Sequence, residues 1–576
     1  MINKHLTSAL CAMALGVVAS HAQLLIDGHT AVLDSLTGTY LCPVSRAHFG
    51  NTLNAVVTID SLASGKTVNI DGTDVASGDT FAFDGISGSK QWTITEMQDD
   101  STTVARKIAF TYLPVVVMNG TFGYDYAEGT VQVLDPDRYS EETMLARVKW
   151  RGGTTNVDGK NKRNYHLKFI DENGEKQDRK FFGLRNDNSW IMDAAQVDFL
   201  RVRNRVATEL WRDFATKPYH AAQEPKAKTW VDGHEVEVIL NGNYAGIYAL
   251  TEAMDRKTLK LKKFDETTGE IHGQLWKAST LTGCTTFHLF SPYDNTQEEW
   301  NGLETKYPEL DEVSPTDYGT ALGQTILFCD TASMTDFNLK AHTYLDMPVM
   351  IDYEIFLQTI LGIDNYAKNI YWYTYDTPAS PMLSLAVWDL DTSMGGNWNP
   401  ADFHPATMSP TRKFSGGNTI FTAIMRPSSI YYKQSLARYN ELRQGVLGTE
   451  SLIARYTAAV KEITDCGAVA REQARWSHDS DLNGRELNID SELQYATSWI
   501  EQRMSYLDAN RYQKPLLGDV NNDHIVDIED LNLVVNAALN GNLGYYTNAS
   551  TDVNGDLVTD ITDINQITNI LLNQLP

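Results

Sequence analysis

The sequence predicts a multidomain chain: an all-β N-terminal domain, a central α+β domain and a small helical C-terminal module. Three observations carry this. Short β-branched runs separated by Asp-Gly and Ser-Gly turns fill the stretch from Gln23 to about Tyr112. Strand-like and amphipathic helical runs then alternate as far as about Arg511. From about Lys514 to Pro576, one acidic loop and helix occurs twice at an interval of 33 residues.

The chain has 576 residues, 42% hydrophobic and 10% aromatic, enough for several domains with sizeable cores. A net charge of −26 argues against a nucleic-acid partner and an anionic membrane surface, and suits a soluble extracellular protein. Residues 1–22 read as a secretory signal peptide. Lys4 and His5 give a positive start, Leu6 to Ser20 is largely apolar, and Ser20-His21-Ala22 offers a cleavage site before Gln23. Cys11 lies in the middle of the apolar run, which speaks against a lipid anchor. No later apolar run reaches the ~18 residues of a membrane span, so a secreted protein is expected. Cys42, Cys284, Cys329 and Cys466 then remain, with three possible pairings that spacing does not choose among. Without any Cys-x-x-Cys, buried thiols or occasional disulfides are expected rather than a metal site.

In residues 23–112, Ala55 to Ile59, Thr67 to Ile70 and Trp92 to Thr95 alternate or are β-branched. Short strands at this spacing predict an immunoglobulin-like β-sandwich. No catalytic cluster occurs there, so a spacer or packing platform is expected.

Strand signals dominate Leu113 to Phe169. Arg151-Gly152-Gly153-Thr154-Thr155 supplies a turn before a lysine-bearing strand. In it Tyr165, Leu167 and Phe169 point one way, and Lys162, Asn164, His166 and Lys168 the other. Asp198 to Phe214 reads as an amphipathic helix with Asp198 as its candidate cap. Val236 to Leu240 and Tyr244 to Leu250 form a hairpin around Asn241-Gly242, a favoured type I′ turn, with Glu252 just past it. Ser279 to Leu345 reads as a turn-rich insertion without evident chemistry. Pro348 to Leu361 is a helix. The loop from Gly396 to Gly417 holds Asn397, His404, Arg412 and Lys413, and a basic residue there could bind phosphate or a phosphoacceptor. Ile420 to Ala509 is largely helical and reads as a bundle on the site-bearing lobe.

The most informative stretch is Leu361 to Asn397. Ile370 to Tyr375 and Leu383 to Trp388 are strand-like runs around a Pro- and Ser-containing turn. A hairpin joins its open ends, so Asp364, Asn365, Lys368 and Asn369 lie beside Asp389 and Asp391. Protein kinases use such a set for phosphoryl transfer: an Asp that orients or deprotonates the acceptor, a metal-binding Asn five residues later, and a metal-binding Asp after the next hairpin. Asp364 to Asn369 keeps that spacing. Gly362-Ile363 replaces the kinase His-Arg, and Leu390-Asp391 replaces the Phe-Gly after the metal Asp. The plain alternative is a turn-rich hairpin whose acidic residues face water.

The wording is more specific than the spacing. DNYAKNIYWY followed by AVWDLDTSMGG resembles the CotH family of atypical, secreted protein kinases. Further family-like phrases follow the family's order: Arg151 to Thr155, Lys162, Tyr165 to Phe169, Trp190-Ile191-Met192, Asp198, Arg203-Asn204 and Leu240 to Glu252. The resemblance covers about Leu113 to Arg511, and implies an atypical kinase-like domain over 113–511 that uses ATP with Mg²⁺ or Mn²⁺. It implies Asp364 as acceptor-orienting base, Asn369 and Asp389 as metal ligands, and Asp391 as a second cofactor ligand. Lys162 or Lys168 would contact phosphate, the two not being separable. Glu209 and Asp198 are the candidate ion-pair partners of that lysine, beside the plainer reading of each as a surface charge.

In the tail, Asp519, Asn521, Asp523, Ile525, Asp527 and Asp530 occupy positions 1, 3, 5, 7, 9 and 12 of a calcium loop. Asp552, Asn554, Asp556, Val558, Asp560 and Asp563 repeat them. The last ligand is Asp, and His524 and Leu557 replace the position-6 Gly of an EF-hand. Helices are expected over Leu531–Leu539 and Ile564–Leu572. A duplicated loop-helix of this kind resembles a type I dockerin, which implies two Ca²⁺ ions and a cohesin domain on a scaffoldin as partner. The alternative is two acidic turns without metal.

Two functions compete at this level. One is a secreted, ATP-dependent phosphotransferase with a protein phosphoacceptor, docked on a multi-enzyme complex. The other is a non-catalytic cellulosome or cell-surface component that uses the same fold to bind protein or polysaccharide, its 12 Trp and 27 Tyr supplying exposed rings for sugars. Scarcity of ATP outside cells favours the second, and the Asp, Asn and Asp set favours the first.

Overall fold

The computed structural model describes residues 24–60, 67–97, 103–138, 142–153, 155–288, 299–309, 319–414, 417–513, 516–521, 525–540, 551–554, 556 and 558–574. The signal-peptide reading, Thr154, the Lys514 boundary, Asp523, His524 and Leu557 fall outside these residues. The chain divides into two compact units. One combines Met1–Ala194, His234–Leu250 and Lys461–His478; the other combines Ala195–Gly233, Thr251–Val460 and Asp479–Pro576.

The N-terminal region of the first unit is β-rich. Strand Leu53–Ile59 shows why: Leu53, Ala55, Val57 and Ile59 are buried while Asn54 and Val56 are exposed, the period-two pattern of a half-buried strand. Its nine strands form one continuous ladder. Strand His29–Asp34 pairs with Leu24–Ile26 through its first half and with Thr39–Pro43 through its second. That strand carries the ladder around a single core in which Ile26, Val57, Phe83, Trp92 and Phe110 meet.

A closed barrel follows. Its strands, in ladder order, are Val115–Asn119, Ala127–Leu134, Thr143–Arg151, Asn164–Ile170, Ser189–Asp193, Asn243–Glu252 and Gly233–Leu240. Parallel pairing of the last with Val115–Asn119 closes it. Tyr165, Leu167 and Phe169 point into the core with Trp190 and Met192, as their alternation predicts. Asn241 and Gly242 have φ of 50° and 75°, the signs a type I′ turn requires. Lys162 precedes strand Asn164–Ile170 rather than lying on it, so its side chain does not follow the strand's alternation.

The stretch Lys461–His478 belongs to this first unit. That corrects the expectation of one bundle from Ile420 to Ala509. Tyr112 donates to the carbonyl of Glu462 at 2.6 Å, and Arg471 makes a two-armed ion pair with the buried Glu237 at 2.7 and 2.8 Å. Helical periodicity identifies the helix Ala468–Trp476 but says nothing of which core receives it.

In the second unit the expected helix begins at Arg203 and runs to Phe214, five residues later than Asp198. Asp198 is no conventional cap. Its carboxylate accepts from the Arg203 N–H at 2.8 Å and from the Arg203 guanidinium at 2.6 Å. Helix Met347–Ile360 is buried on nearly every side and leads into the hairpin. The expected insertion is not mere turns. Strands Glu299–Trp300 and Leu303–Tyr307 extend a five-stranded sheet that also holds Gln274–Ala278, Ile370–Thr374 and Ser384–Val387, and helices Thr320–Thr331 and Met334–Tyr344 follow. Helices Arg256–Leu259, Thr419–Ile424, Ile430–Arg443, Thr449–Asp465 and Ile489–Asn510 also belong to this region, the fourth ending within Lys461–His478.

Tail helices run over Ile528–Asn540 and Ile561–Gln574, one turn earlier than expected. Val520, Val534, Val553 and Ile567 form their shared core, and each residue of the first half has its counterpart 33 residues on. Cys42, Cys284, Cys329 and Cys466 are free, buried thiols. Among the described residues, no helix is long and apolar enough to cross a membrane.

Candidate functional site

The expected hairpin forms, with Ile370 facing Val387, Tyr371 facing Ala386, Trp372 facing Leu385 and Tyr373 facing Ser384. Both strands are buried throughout, which accounts for their apolar and aromatic composition. Their open ends therefore adjoin, and the Asp364 to Asn369 loop sits beside the Asp389 segment.

Within the first loop, one oxygen of Asp364 accepts from Asn369 Nδ2 at 2.9 Å and from Lys368 Nζ at 3.2 Å. Asp364 is 16% exposed at its side chain and Lys368 37%. Asn369 is buried, has a φ of 58°, and donates its backbone N–H to Ala278 at 2.9 Å. That positive φ is a disfavoured backbone conformation, tolerated best by Asn, Asp and Gly. Asn365 is fully buried and donates from Nδ2 to the carbonyls of Trp388 at 2.9 Å and Asp389 at 3.2 Å.

Asp389 is exposed. The strand stops at Val387, and a φ of 58° turns the chain at Asp389 out of the ladder. Leu390 behind it is fully buried and donates its N–H to Asn204 Oδ1 at 3.0 Å. Asp391 is half-buried. Beyond Gly396, Arg203 is fully buried between Asp198 at 2.6 Å and Glu492 at 2.5 Å. His404 joins this network through Glu492 at 2.9 Å and stacks on Tyr495 at 3.4 Å. Arg203, and less so His404, holds the Glu492 carboxyl below its ordinary range against the upward push of burial. The Arg412 guanidinium donates to the Thr407 carbonyl, and Lys413 is exposed.

The two lysines, inseparable in sequence, differ in the barrel unit. Lys162 is 1% exposed and pairs with the fully buried Glu472 at 2.7 Å. It also donates to the Ile247 carbonyl at 2.9 Å, while Glu472 accepts from the Ile247 N–H at 2.7 Å. Lys168 is exposed, its Nζ 4.8 Å from the centre of the Tyr126 ring. Glu209 pairs instead with Arg205 and Asp198 with Arg203, so neither is the partner expected for Lys162.

Glu472 is the residue that sequence reasoning misses. It lies 310 positions from Lys162, on a helix whose charges read as solvated. One signal exists: Gly246, inside a strand, where glycine marks close approach. Its φ is 114°, and a Cβ there would stand 2.2 Å from Glu472 Oε2 and 2.8 Å from Trp476 Nε1. Only glycine lets the pair sit where it does.

In the tail, Asp530 and Asp563 are fully buried and play the same part. Asp530 accepts backbone N–H groups from Val520 at 2.6 Å, Asn521 at 2.9 Å and Asp527 at 3.0 Å. Asp563 accepts them from Val553 at 2.6 Å, Asn554 at 3.0 Å and Asp560 at 2.9 Å. Asp519 is buried, Asn521, Asp527, Asp552 and Asp560 are half-buried, and Asn554, Asp556, Ile525 and Val558 are exposed. Thr562 holds the Asp560 carboxyl below its ordinary range through its hydroxyl and N–H. Among the described residues, no three His, Cys, Asp or Glu side chains gather into a metal-holding group.

The family model described as CotH kinase protein matches residues 148–507. That is more than half of the 576 residues, and the chain belongs to this family. The match includes Lys162, Glu472 and every hairpin residue named above. No curated protein matches the chain.

Proposed function

We propose that this protein is a secreted phosphotransferase that transfers a phosphoryl group from ATP to a protein hydroxyl. One observation carries the reading: the hairpin register sets an Asp-Asn pair, Asp364 and Asn369, beside the exposed Asp389. Asp364 orients the acceptor hydroxyl and takes its proton. Asn369, with Nδ2 committed to Asp364, has Oδ1 for a cation; Asp389 and Asp391 add carboxylate oxygens. Such an all-oxygen donor set suits Mg²⁺ or Mn²⁺, which supplies charge neutralisation at the phosphates when bound. Lys162 is favoured over Lys168 as the phosphate contact, because kinases pair that lysine with a glutamate and Glu472 supplies one.

The finer domain readings belong to the same proposal: an immunoglobulin-like sandwich over 23–112, an atypical kinase-like domain over 113–511 and a type I dockerin over 514–576. The dockerin would bind two Ca²⁺ ions and a cohesin domain, anchoring the enzyme to a secreted complex. The 33-residue structural repeat of helices, core and loop-closing aspartates supports it.

Nucleotide binding by the full chain with Mg²⁺ or Mn²⁺ tests the enzyme reading. Asp389→Asn is expected to abolish metal-dependent ATP binding and phosphotransfer without loss of fold, since Asp389 is exposed. Wild-type activity in that variant would sink the assignment. For the tail, circular dichroism of the full chain in chelator should show helix lost and regained with calcium, and a cohesin should capture only the calcium form. Unchanged helicity together with no calcium bound at millimolar concentration defeats the dockerin reading.

A further inference from the structure

We propose that Asn365 is a positioning residue, an amide clamp that fixes the Asp389 segment against the Asp364 loop. The last ladder pair of the hairpin is Ile370–Val387, and Trp388, Asp389 and Leu390 continue beyond it. Asp389 also has positive φ, as does Asn369 across the hairpin. Such backbone holds its shape only when its surroundings over-determine it.

Three side-chain bonds do this. Asn365 Nδ2 donates to the Trp388 and Asp389 carbonyls at 2.9 and 3.2 Å. Asn204 Oδ1 receives the Leu390 N–H at 3.0 Å. Asn365 is itself tethered, because its carbonyl accepts from the hydroxyl of Tyr353 at 2.7 Å, and Tyr353 is fully buried on helix Met347–Ile360. Asn365 Oδ1 is buried without a hydrogen-bond partner. A buried acceptor left unmade is unfavourable, and an apolar residue of similar size would avoid it. The amide is therefore kept for its donor face. Through this side chain the loop that carries Asp364 is bonded directly to the backbone of Asp389.

The clamp's catalytic meaning rests on the phosphotransfer reading, but its mechanical part does not, and the two are tested separately. Asn365→Asp keeps the volume and turns a donor into an oxygen facing two carbonyls; Asn365→Ala removes the bond outright. Both are made in the full chain. Amide hydrogen exchange is followed at Leu390 and along Met347–Ile360, with MnCl₂ titration and steady-state kinetics in parallel. Exchange at Leu390 should accelerate at least tenfold with the helix still protected. Half-saturation by Mn²⁺ should rise at least tenfold, and kcat should fall with KM for ATP unchanged at saturating metal. Unchanged exchange at Leu390 overturns the clamp. So does equal acceleration in the helix, which marks general loosening. Wild-type metal dependence despite local loosening overturns the catalytic part and leaves the mechanical one. If the wild type binds neither Mn²⁺ nor ATP while Leu390 still loosens locally, the phosphotransfer reading fails and the clamp stands.

Discussion

Among the carboxylates that face a lysine in this protein, Glu472 and Asp364 are treated by the fold in opposite ways. Glu472 meets Lys162 in the barrel unit with both side chains essentially removed from water. Asp364 meets Lys368 in the hairpin unit with both partly in water. The first pair is also satisfied by the N–H and carbonyl of Ile247, so every change at it is felt by the barrel. The second sits at a loop surface, with Lys368 37% and Asp364 16% exposed at their side chains. The first pair is fixed within a core, whereas the second keeps partial access to solvent.

Breaking the buried pair should have the largest effect. Lys162→Met leaves the buried Glu472 without its cation, and should lower stability by about 3–5 kcal/mol in denaturant unfolding. Converting Glu472 to Met as well should recover most of that loss, because a buried pair contributes little net stability over an apolar replacement. If the double variant is no more stable than Lys162→Met, the pair is not a closed two-body unit.

A buried acid beneath the hairpin sharpens the contrast through pH. Asp346 accepts from Ser384 Oγ and from the Tyr219 N–H, both at 2.9 Å, and burial raises its carboxyl to about 6. The folded state therefore binds this proton more tightly than the unfolded chain. Its stabilising contribution is full below pH ~4, is lost as pH rises from ~4 to ~6, and stays lost above. About two pKa units correspond to about 3 kcal/mol. Asp346→Asn should remove that dependence, read as a flatter unfolding free energy between pH 4 and 6 relative to wild type. Parallel curves would show that Asp346 is ionised in the fold.

At the open carboxylate the effect on stability should be small and that on turnover large. Asp364→Ala should change unfolding free energy by about 1 kcal/mol or less, and should lower turnover while nucleotide affinity holds. Equal loss of affinity, with turnover per bound enzyme retained, would make Asp364 a ligand rather than a base. Lys368→Met should be the mildest change, at about 0–1 kcal/mol by the same unfolding assay.

The contrast also marks what could be read from sequence. The hairpin and the Asp364-to-Asn369 spacing are legible because β-branched and aromatic runs and turn residues act over a few positions, whereas the register is seen only in the structure. The type I′ turn at Asn241-Gly242 is legible for the same reason. Glu472 is not, since a lone glutamate on an amphipathic helix looks the same whether it meets water or a lysine 310 residues away. Nor is the exposure of Asp389, which depends on a single backbone angle where the strand ends. The strand Glu299–Trp300 escapes notice because two residues show no period, whereas Leu303–Tyr307 does alternate, with Leu303 and Thr305 buried and Lys306 exposed.

The return of Lys461–His478 to the barrel unit also sets an order in time. Lys162 is made 310 residues before the glutamate that neutralises it. At roughly 5–20 residues per second, synthesis leaves that corner of the barrel waiting for about 15–60 s. Strands from Val115–Asn119 to Asn243–Glu252 are complete long before. During the interval the lysine keeps its water, and the bond between Arg471 and Glu237 has yet to form. The barrel of a nascent chain is thus unfinished until the polypeptide has passed through its other unit and come back.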